Sequence, residues 1–398
     1  MHLECYWYTS LIIEKCQCLC YNLFMKKIIL ILIVAIILFF LTKDYLYDPP
    51  SKDEELKDKI GQMLIIGFRG TTANQYITKT IKDLNIGGII LFDKDVPSGG
   101  TVERNIESPE QTKKLISQLK KTSKELFIAV DAEGGYVNRL KEKYGFQNIP
   151  SAFEMGKLSI EETKEKGAFL SQQLNDLGFN LNFAPVVDVD VNPENPVIGC
   201  LERSFSADPE KVYNHASAFI EGLHQNNIIS AIKHFPGHGS SKNDSHLGLT
   251  DVTNTYKDEE LLPYKLLIEN GYNDMVMTAH IINKNIDENY PATLSPLFLQ
   301  NILREDLGFG GVIVSDDMKM KAIVDYYGFE EGIIYAINAG CDLLILSNNG
   351  TEEYDELAPQ KAIDVIFNAV KNNLITEEQI DQSYNRIQSL KEKYRIKK

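Results

Sequence analysis

Basic residues are in short supply in this chain. Its 41 lysines and arginines face 56 aspartates and glutamates, a formal net charge of −15 over 398 residues. Nucleic acids are bound through basic patches, so this balance argues against a nucleic-acid partner. Glycine (26) and proline (14) show no low-complexity bias, and no internal repeat is visible beyond a strand–helix alternation. No G-x-G-x-x-G opens a helix after a first apolar run, which weakens a nucleotide-binding sheet. Cysteine is thin as well. Past residue 24 only Cys200 and Cys341 remain, and the second, in an apolar run, reads as a small buried hydrophobe. Cys5, Cys16, Cys18 and Cys20 precede Met25, and C-x-C-x-C without a surrounding fold is a poor metal site.

What the chain does have near its start is one long apolar run. Ile28–Leu41 is 14 uncharged apolar residues behind Lys26 and Lys27. It suits a signal-peptide core or a short membrane anchor better than a soluble helix, which would show a polar face. No small-x-small cleavage site follows, and no cysteine is placed for a lipoprotein box. The expectation is a membrane partner for residues 28–41, with the catalytic part outside the cytoplasm or secreted after cleavage. Met25 before two lysines looks like a natural start, so residues 1–24 read as an upstream extension. Residues 25–47 are then the anchor and its flanks, 48–58 a polar linker, and 59–398 a single catalytic domain.

After the linker, short apolar runs recur between longer amphipathic stretches. They are Met63–Phe68, Ile86–Phe92, Leu126–Val130, Phe179–Phe183, Ile228–Ile232, Met275–Ala279, Val312–Val314 and Leu343–Leu346. Helical patterns fill the intervals, among them Ser108–Lys124, Ile160–Leu177, Pro209–Gln225 and Asp258–Asn270. Continuous apolar strands alternating with helices imply a parallel sheet buried on both faces. Eight such units predict a TIM-type (β/α)8 barrel, with a doubly wound open sheet as the alternative. A barrel demands functional residues at the C-terminal ends of its strands. The third run ends in Asp131-Ala132-Glu133-Gly134-Gly135, with Arg139 shortly after. The fourth leads into Asp188 and Asp190, the fifth into Lys233-His234, the sixth into His280, and the seventh into Ser315-Asp316-Asp317. Asp317 is the one of its pair that reads as a helix N-cap.

The densest stretch is residues 228–250, IISAIKHFPGHGSSKNDSHLGLT. A strand leads into Lys233 and His234, then a loop with Pro236, Gly237 and Gly239 delivers Asp244, Ser245 and His246. Asp244 and His246 are two apart in a loop, so the carboxylate can orient the imidazole for proton transfer near neutral pH. A metal site from His234, His238, Asp244 and His246 is the lesser alternative, because the mobile glycines and the lysine do not suit a compact cluster. A purely structural Asp–His pair is another.

Lys233-His234-Phe235-Pro236-Gly237-His238-Gly239, four residues, then Asp244-Ser245-His246 resembles the signature of the β-N-acetylglucosaminidases of glycoside hydrolase family 3. Val130-Asp131-Ala132-Glu133-Gly134-Gly135 with Arg139 resembles that family's substrate-aspartate motif. Asn195-Pro196-Val197-Ile198-Gly199 with Arg203-Ser204-Phe205 resembles its arginine loop, and Gly311–Asp316 its nucleophile strand. The resemblance implies a retaining hydrolase with Asp316 as nucleophile and His246, oriented by Asp244, as acid/base. It assigns Asp131, Arg139, Arg203, Lys233 and His234 to the terminal sugar. No metal or organic cofactor is implied, and the substrate is an N-acetylglucosamine-containing glycan or muropeptide. The second α/β domain of longer members has no room here, so the acid/base must come from the barrel. A phosphorylase on the same fold and a non-catalytic cell-wall-binding barrel are the competing readings.

Overall fold

Each of the eight apolar runs holds or opens a strand, and the eight strands close on one another. The computed structural model describes residues 15, 19, 21–37, 50–245, 248–350 and 352–396. Twelve strands run along the described chain: β1 (Leu64–Ile66), β2 (Gly88–Ile90), β3 (Phe127–Val130), β4 (Ala132–Gly134), β5 (Val137–Asn138), β6 (Leu181–Asn182), β7 (Ile229–Phe235), β8 (Thr250–Asp251), β9 (Met275–Thr278), β10 (Ile281–Ile282), β11 (Val312–Asp317) and β12 (Leu343–Leu346). Eight of them form a closed parallel barrel in the order β1-β2-β3-β6-β7-β9-β11-β12, with β12 returning to β1 through Leu64↔Leu344 and Ile66↔Leu346. The other four make two small sheets, β4 with β5 and β8 with β10. Barrel strands are buried on both faces, which is why their sequences do not alternate. An open doubly wound sheet is excluded by the closure.

The helices are cut by local signals. Ile160–Leu177 opens on a capping box between Ser159 and Glu162 and stops at Gly178, whose φ is 99°. Pro209–His224 opens with the Asp208 carboxylate accepting from the backbone N–H of Glu210 and Lys211. The polar stretch expected as a linker, 48–58, is already helical from Lys52. The helix Lys52–Gln62 buries Leu56 and Ile60, a one-turn spacing that a charge-rich stretch conceals.

The chain divides into two units, Met1–Glu54 and Glu55–Lys398. Within the first, residues 21–37 are helical. No helix among the described residues is long and apolar enough to cross a membrane. The transmembrane helix expected over 28–41 is therefore not supported, and residues 38–41 lie outside the described residues.

The N-terminal end of the barrel is stitched by the last helix, Glu377–Lys393. Asp342, just ahead of β12, accepts from Arg304 (2.6 Å), Arg386 (2.9 Å) and Ser383 (3.0 Å). Asp274, just ahead of β9, is met by His224, Lys393 and the Tyr394 hydroxyl, each at 2.7 Å. Lys391 lies deeper. Its Nζ donates to Gln62 Oε1 (2.7 Å) and to the Gly87 carbonyl (3.2 Å), above the Phe127 ring. Burial pushes this ammonium down to about 7, against a weaker opposing pull from Glu125. In the unfolded chain the group titrates near 10.4, so between about pH 7 and 10 the unfolded state binds the extra proton. Stability then rises with pH across that window, by up to roughly 1 kcal/mol per pH unit. Lys391→Met should remove this slope. Denaturant melts of both proteins at pH 7.5 and 9 check it, and an identical pH response in the two would refute the assignment.

Candidate active site

The C-terminal end of the barrel opens into a cavity of about 400 Å³. Strand geometry explains how neighbouring residues come to face it together. Successive side chains on a regular strand point to opposite faces. Two strands break the rule. Between β7 and β9 the register runs Ile232↔Val276 and then Phe235↔Thr278, three steps against two. Between β11 and β12 it runs Val314↔Leu343 and then Asp317↔Ile345, again three against two. Each is a bulge, which bends the strand and re-aims a side chain. The first holds Lys233 and His234, and the second holds Ser315 and Asp316.

One end of the cavity is a continuous chain of hydrogen bonds. Arg203 grips the buried Glu133 carboxylate with both forks, Nε to Oε2 and Nη2 to Oε1, each at 2.8 Å. Lys233 Nζ reaches Glu133 Oε1 at 2.7 Å and Asp131 Oδ1 at 2.9 Å. Arg139 Nη2 stands 3.8 Å from Asp131 Oδ2. On the other side Arg203 Nη2 is 3.1 Å from His234 Nε2, while His234 Nδ1 is 2.7 Å from Asp188 Oδ2. A guanidinium only donates, so His234 Nε2 must accept and the ring proton must sit on Nδ1, donated to Asp188. Asp188 also accepts from the backbone N–H of His234 and His238, at 3.1 and 2.8 Å.

Charges this deep must be paired. Burial pushes the Glu133 carboxyl up, but Arg203 and then Lys233 outweigh it and hold it well below the ordinary carboxylate range. Burial likewise pushes Arg203 and Lys233 down, and the facing carboxylates more than reverse this, so both stay charged. For Asp188 burial acts upward and the His234 contact prevails, keeping it ionised. At His238 the balance falls the other way. Burial outweighs the pull of the nearby Asp188 carboxylate and pushes the imidazole down to about 4, so it stays neutral. Its Nε2 lies 3.2 Å from the Ser245 hydroxyl.

The structure brings Asp131, Arg139, Arg203, Lys233, His234, Asp244 and Asp316 together around this one cavity. His246 lies outside the described residues, which stop at Ser245 and resume at Gly248. Asp316 is half-buried, and its Oδ1 accepts from the Asp317 N–H at 2.7 Å. Asp317 is turned into the structure instead. It accepts from the Ser347 hydroxyl, from the Ser347 N–H (3.1 Å) and from the Lys319 N–H (3.2 Å), while His280 Nε2 approaches its carbonyl. Burial keeps the Asp317 carboxyl above its ordinary range despite those donors, Ser347 first. Among the described residues no three His, Cys, Asp or Glu side chains stand where they could hold a metal ion.

Glu133 and Asp188 stand in sequence motifs that by themselves give them no role. The signal for Glu133 was its spacing of two from Asp131, which in an extended segment puts both on one face. The signal for Asp188 was its place after the fourth apolar run.

Residues 55–390 match the sequence profile of the glycosyl hydrolase family 3 N-terminal domain. A β-hexosaminidase of Tolumonas auensis is 36% identical over 293 residues, covering 72% of this chain and 83% of that protein. One from Haemophilus influenzae is 38% identical over 295 residues, covering 72% and 79%. Among solved structures, a family 3 β-N-acetylglucosaminidase from Paenibacillus sp. FPU-7 aligns with a TM-score of 0.77 at 34% identity, over 86% of this chain and 63% of that one. A β-N-acetylhexosaminidase from Beutenbergia cavernae aligns at 0.75 and 27% identity, over 85% and 98%. The match runs through every barrel strand, and with it the chain belongs to glycosyl hydrolase family 3.

Proposed function

We propose that the chain is an exo-acting, retaining β-N-acetylglucosaminidase that removes terminal N-acetylglucosamine from peptidoglycan fragments. The observation that carries this reading is the hydrogen-bonded chain from Asp131 to Asp188 facing Asp316 across one cavity. Forked and point-charge donors held on carboxylates suit the hydroxyls of a single terminal sugar. Asp316 attacks the anomeric carbon as the bond to the leaving oxygen breaks, through an oxocarbenium-like transition state. His246, oriented by Asp244, gives its proton to that oxygen. It then takes one from the water that releases the sugar from Asp316, which regenerates the carboxylate. The relatives are named for hexosaminidase activity, which supports the sugar. Lys319 and Lys321 line the cavity and favour an aglycone bearing carboxylates, as muropeptides do.

The same lysines favour a second reading, a phosphorylase, in which phosphate replaces water as acceptor. Purified protein is to be assayed on p-nitrophenyl N-acetylglucosaminide with and without phosphate. Free N-acetylglucosamine at a phosphate-independent rate is expected. Sugar-1-phosphate with consumption of phosphate would favour the phosphorylase, and no turnover of any N-acetylglucosaminide would sink both. Lys26-Lys27 and the apolar run behind them further support delivery of the barrel outside the cytoplasm, which protease added to intact cells checks.

A further inference from the structure

The donors proposed for the terminal sugar stand at one end of the cavity, and beyond the charges of Lys319 and Lys321 no residue has been matched to the ring of the group that departs. Tyr136 lines the cavity with 66% of its surface exposed. It sits at the tip of the β4–β5 hairpin, between the acids Asp131 and Glu133 on one side and Arg139 on the other. A lone exposed tyrosine needs no explanation on an ordinary surface. This one stands on a tip that is held fast. Gly134 and Gly135 take φ of 99° and 56°, and a Cβ on either would fall 2.3 Å from the Pro150 carbonyl or 2.5 Å from Ser151 Cβ. The Gly135 N–H donates to the Ile149 carbonyl at 3.1 Å, and the Ser151 hydroxyl donates to Glu202 Oε2 at 2.7 Å. Residues 149–151 thus link the hairpin to Glu202, next to Leu201, which also lines the cavity with Pro196 and Val197.

The cavity thus pairs a charged end with an exposed aromatic face on a fixed hairpin tip. A hexopyranose has the matching two-sidedness, with hydroxyls around its edge and C–H bonds on its faces. We propose that Tyr136 is the platform for the departing sugar: the hexopyranose aglycone lays a C–H face on the ring while its edge hydroxyls stay in water. A rigid backbone makes the aromatic contact cheap in entropy, because two side-chain torsions are all that must be ordered. The inference rests on the glycosidase reading above and adds to it a residue that selects the leaving group.

The experiment compares two substrates in the full-length protein, the β-1,4 disaccharide of N-acetylglucosamine and trifluoroethyl β-N-acetylglucosaminide, whose aglycone has no ring to stack. Tyr136→Ala should lower kcat/KM on the disaccharide about tenfold more than on the trifluoroethyl glycoside. Tyr136→Trp, which keeps a face, should restore most of the difference, and Tyr136→Phe should keep it because the hydroxyl is not used. Equal losses on both substrates, or none on either, would overturn the platform while leaving the glycosidase reading standing. Wild-type protein that turns over neither substrate would overturn both.

Discussion

An Asp316→Asn protein is expected to fold as the wild type does and to lose turnover by about 10⁴-fold or more, the scale seen when a covalent nucleophile is removed. The change is isosteric, and the amide oxygen can still accept the Asp317 N–H that Asp316 Oδ1 accepts at 2.7 Å. What is lost is the negative charge that bonds to the anomeric carbon. A fluorinated N-acetylglucosaminide with a good leaving group should add one sugar mass to the wild type, and peptide mapping should place it on Asp316. Asp317 is the competitor that makes the test sharp. Its carboxylate already accepts from Ser347 and Lys319 and is pushed toward the neutral acid by burial, so it makes a poor nucleophile. Label on Asp317, or an Asp316→Asn protein with near-normal rates, would remove the proposed mechanism.

The second large effect belongs to His246→Ala. A general acid matters most when the departing oxygen is a poor leaving group. Hydrolysis of a natural disaccharide should fall by about 10²–10⁴-fold. Formation of the glycosyl-enzyme from a dinitrophenyl glycoside should fall far less, because that phenolate leaves unaided. The second step still lacks its base, so the intermediate should accumulate and give a burst. Azide needs no deprotonation and should rescue turnover as a β-glycosyl azide. Asp244→Ala should give a milder form of the same pattern, since it orients the imidazole without carrying the proton. Uniform losses on good and poor leaving groups, without burst or rescue, would place the acid elsewhere around the cavity.

The barrel was legible because its strands are buried on both faces. All eight apolar runs became barrel strands, and of the polar residues that end them Asp131, Glu133, Lys233, His234, Asp316 and Asp317 line one cavity. The helix Lys52–Gln62 was hidden, because Leu56 and Ile60 are its few apolar residues amid charge. The bulges in β7 and β11 were not readable either. Register is a property of two strands, and one strand's residues do not disclose it. The role of Glu133 escaped for a similar reason: its arginine partner lies 70 residues on, and only folding puts Arg203 beside it. The apolar run 28–41 shows the opposite hazard. Its composition suggested a membrane span that the described helices do not support.

The bulge in β11 makes residue count itself a part of the chemistry. Removing Ser315 would bring that strand back into even step with Leu343–Ile345, at the loss of the hydroxyl that accepts from the Ile345 N–H. The carboxylate of Asp316 would instead swing to the helix side, away from any sugar. Point substitutions along the wall are thus forgiven more readily than a change in its spacing. Over time the chain can swap one apolar residue for another along β11, yet its length there is locked in phase with the active site.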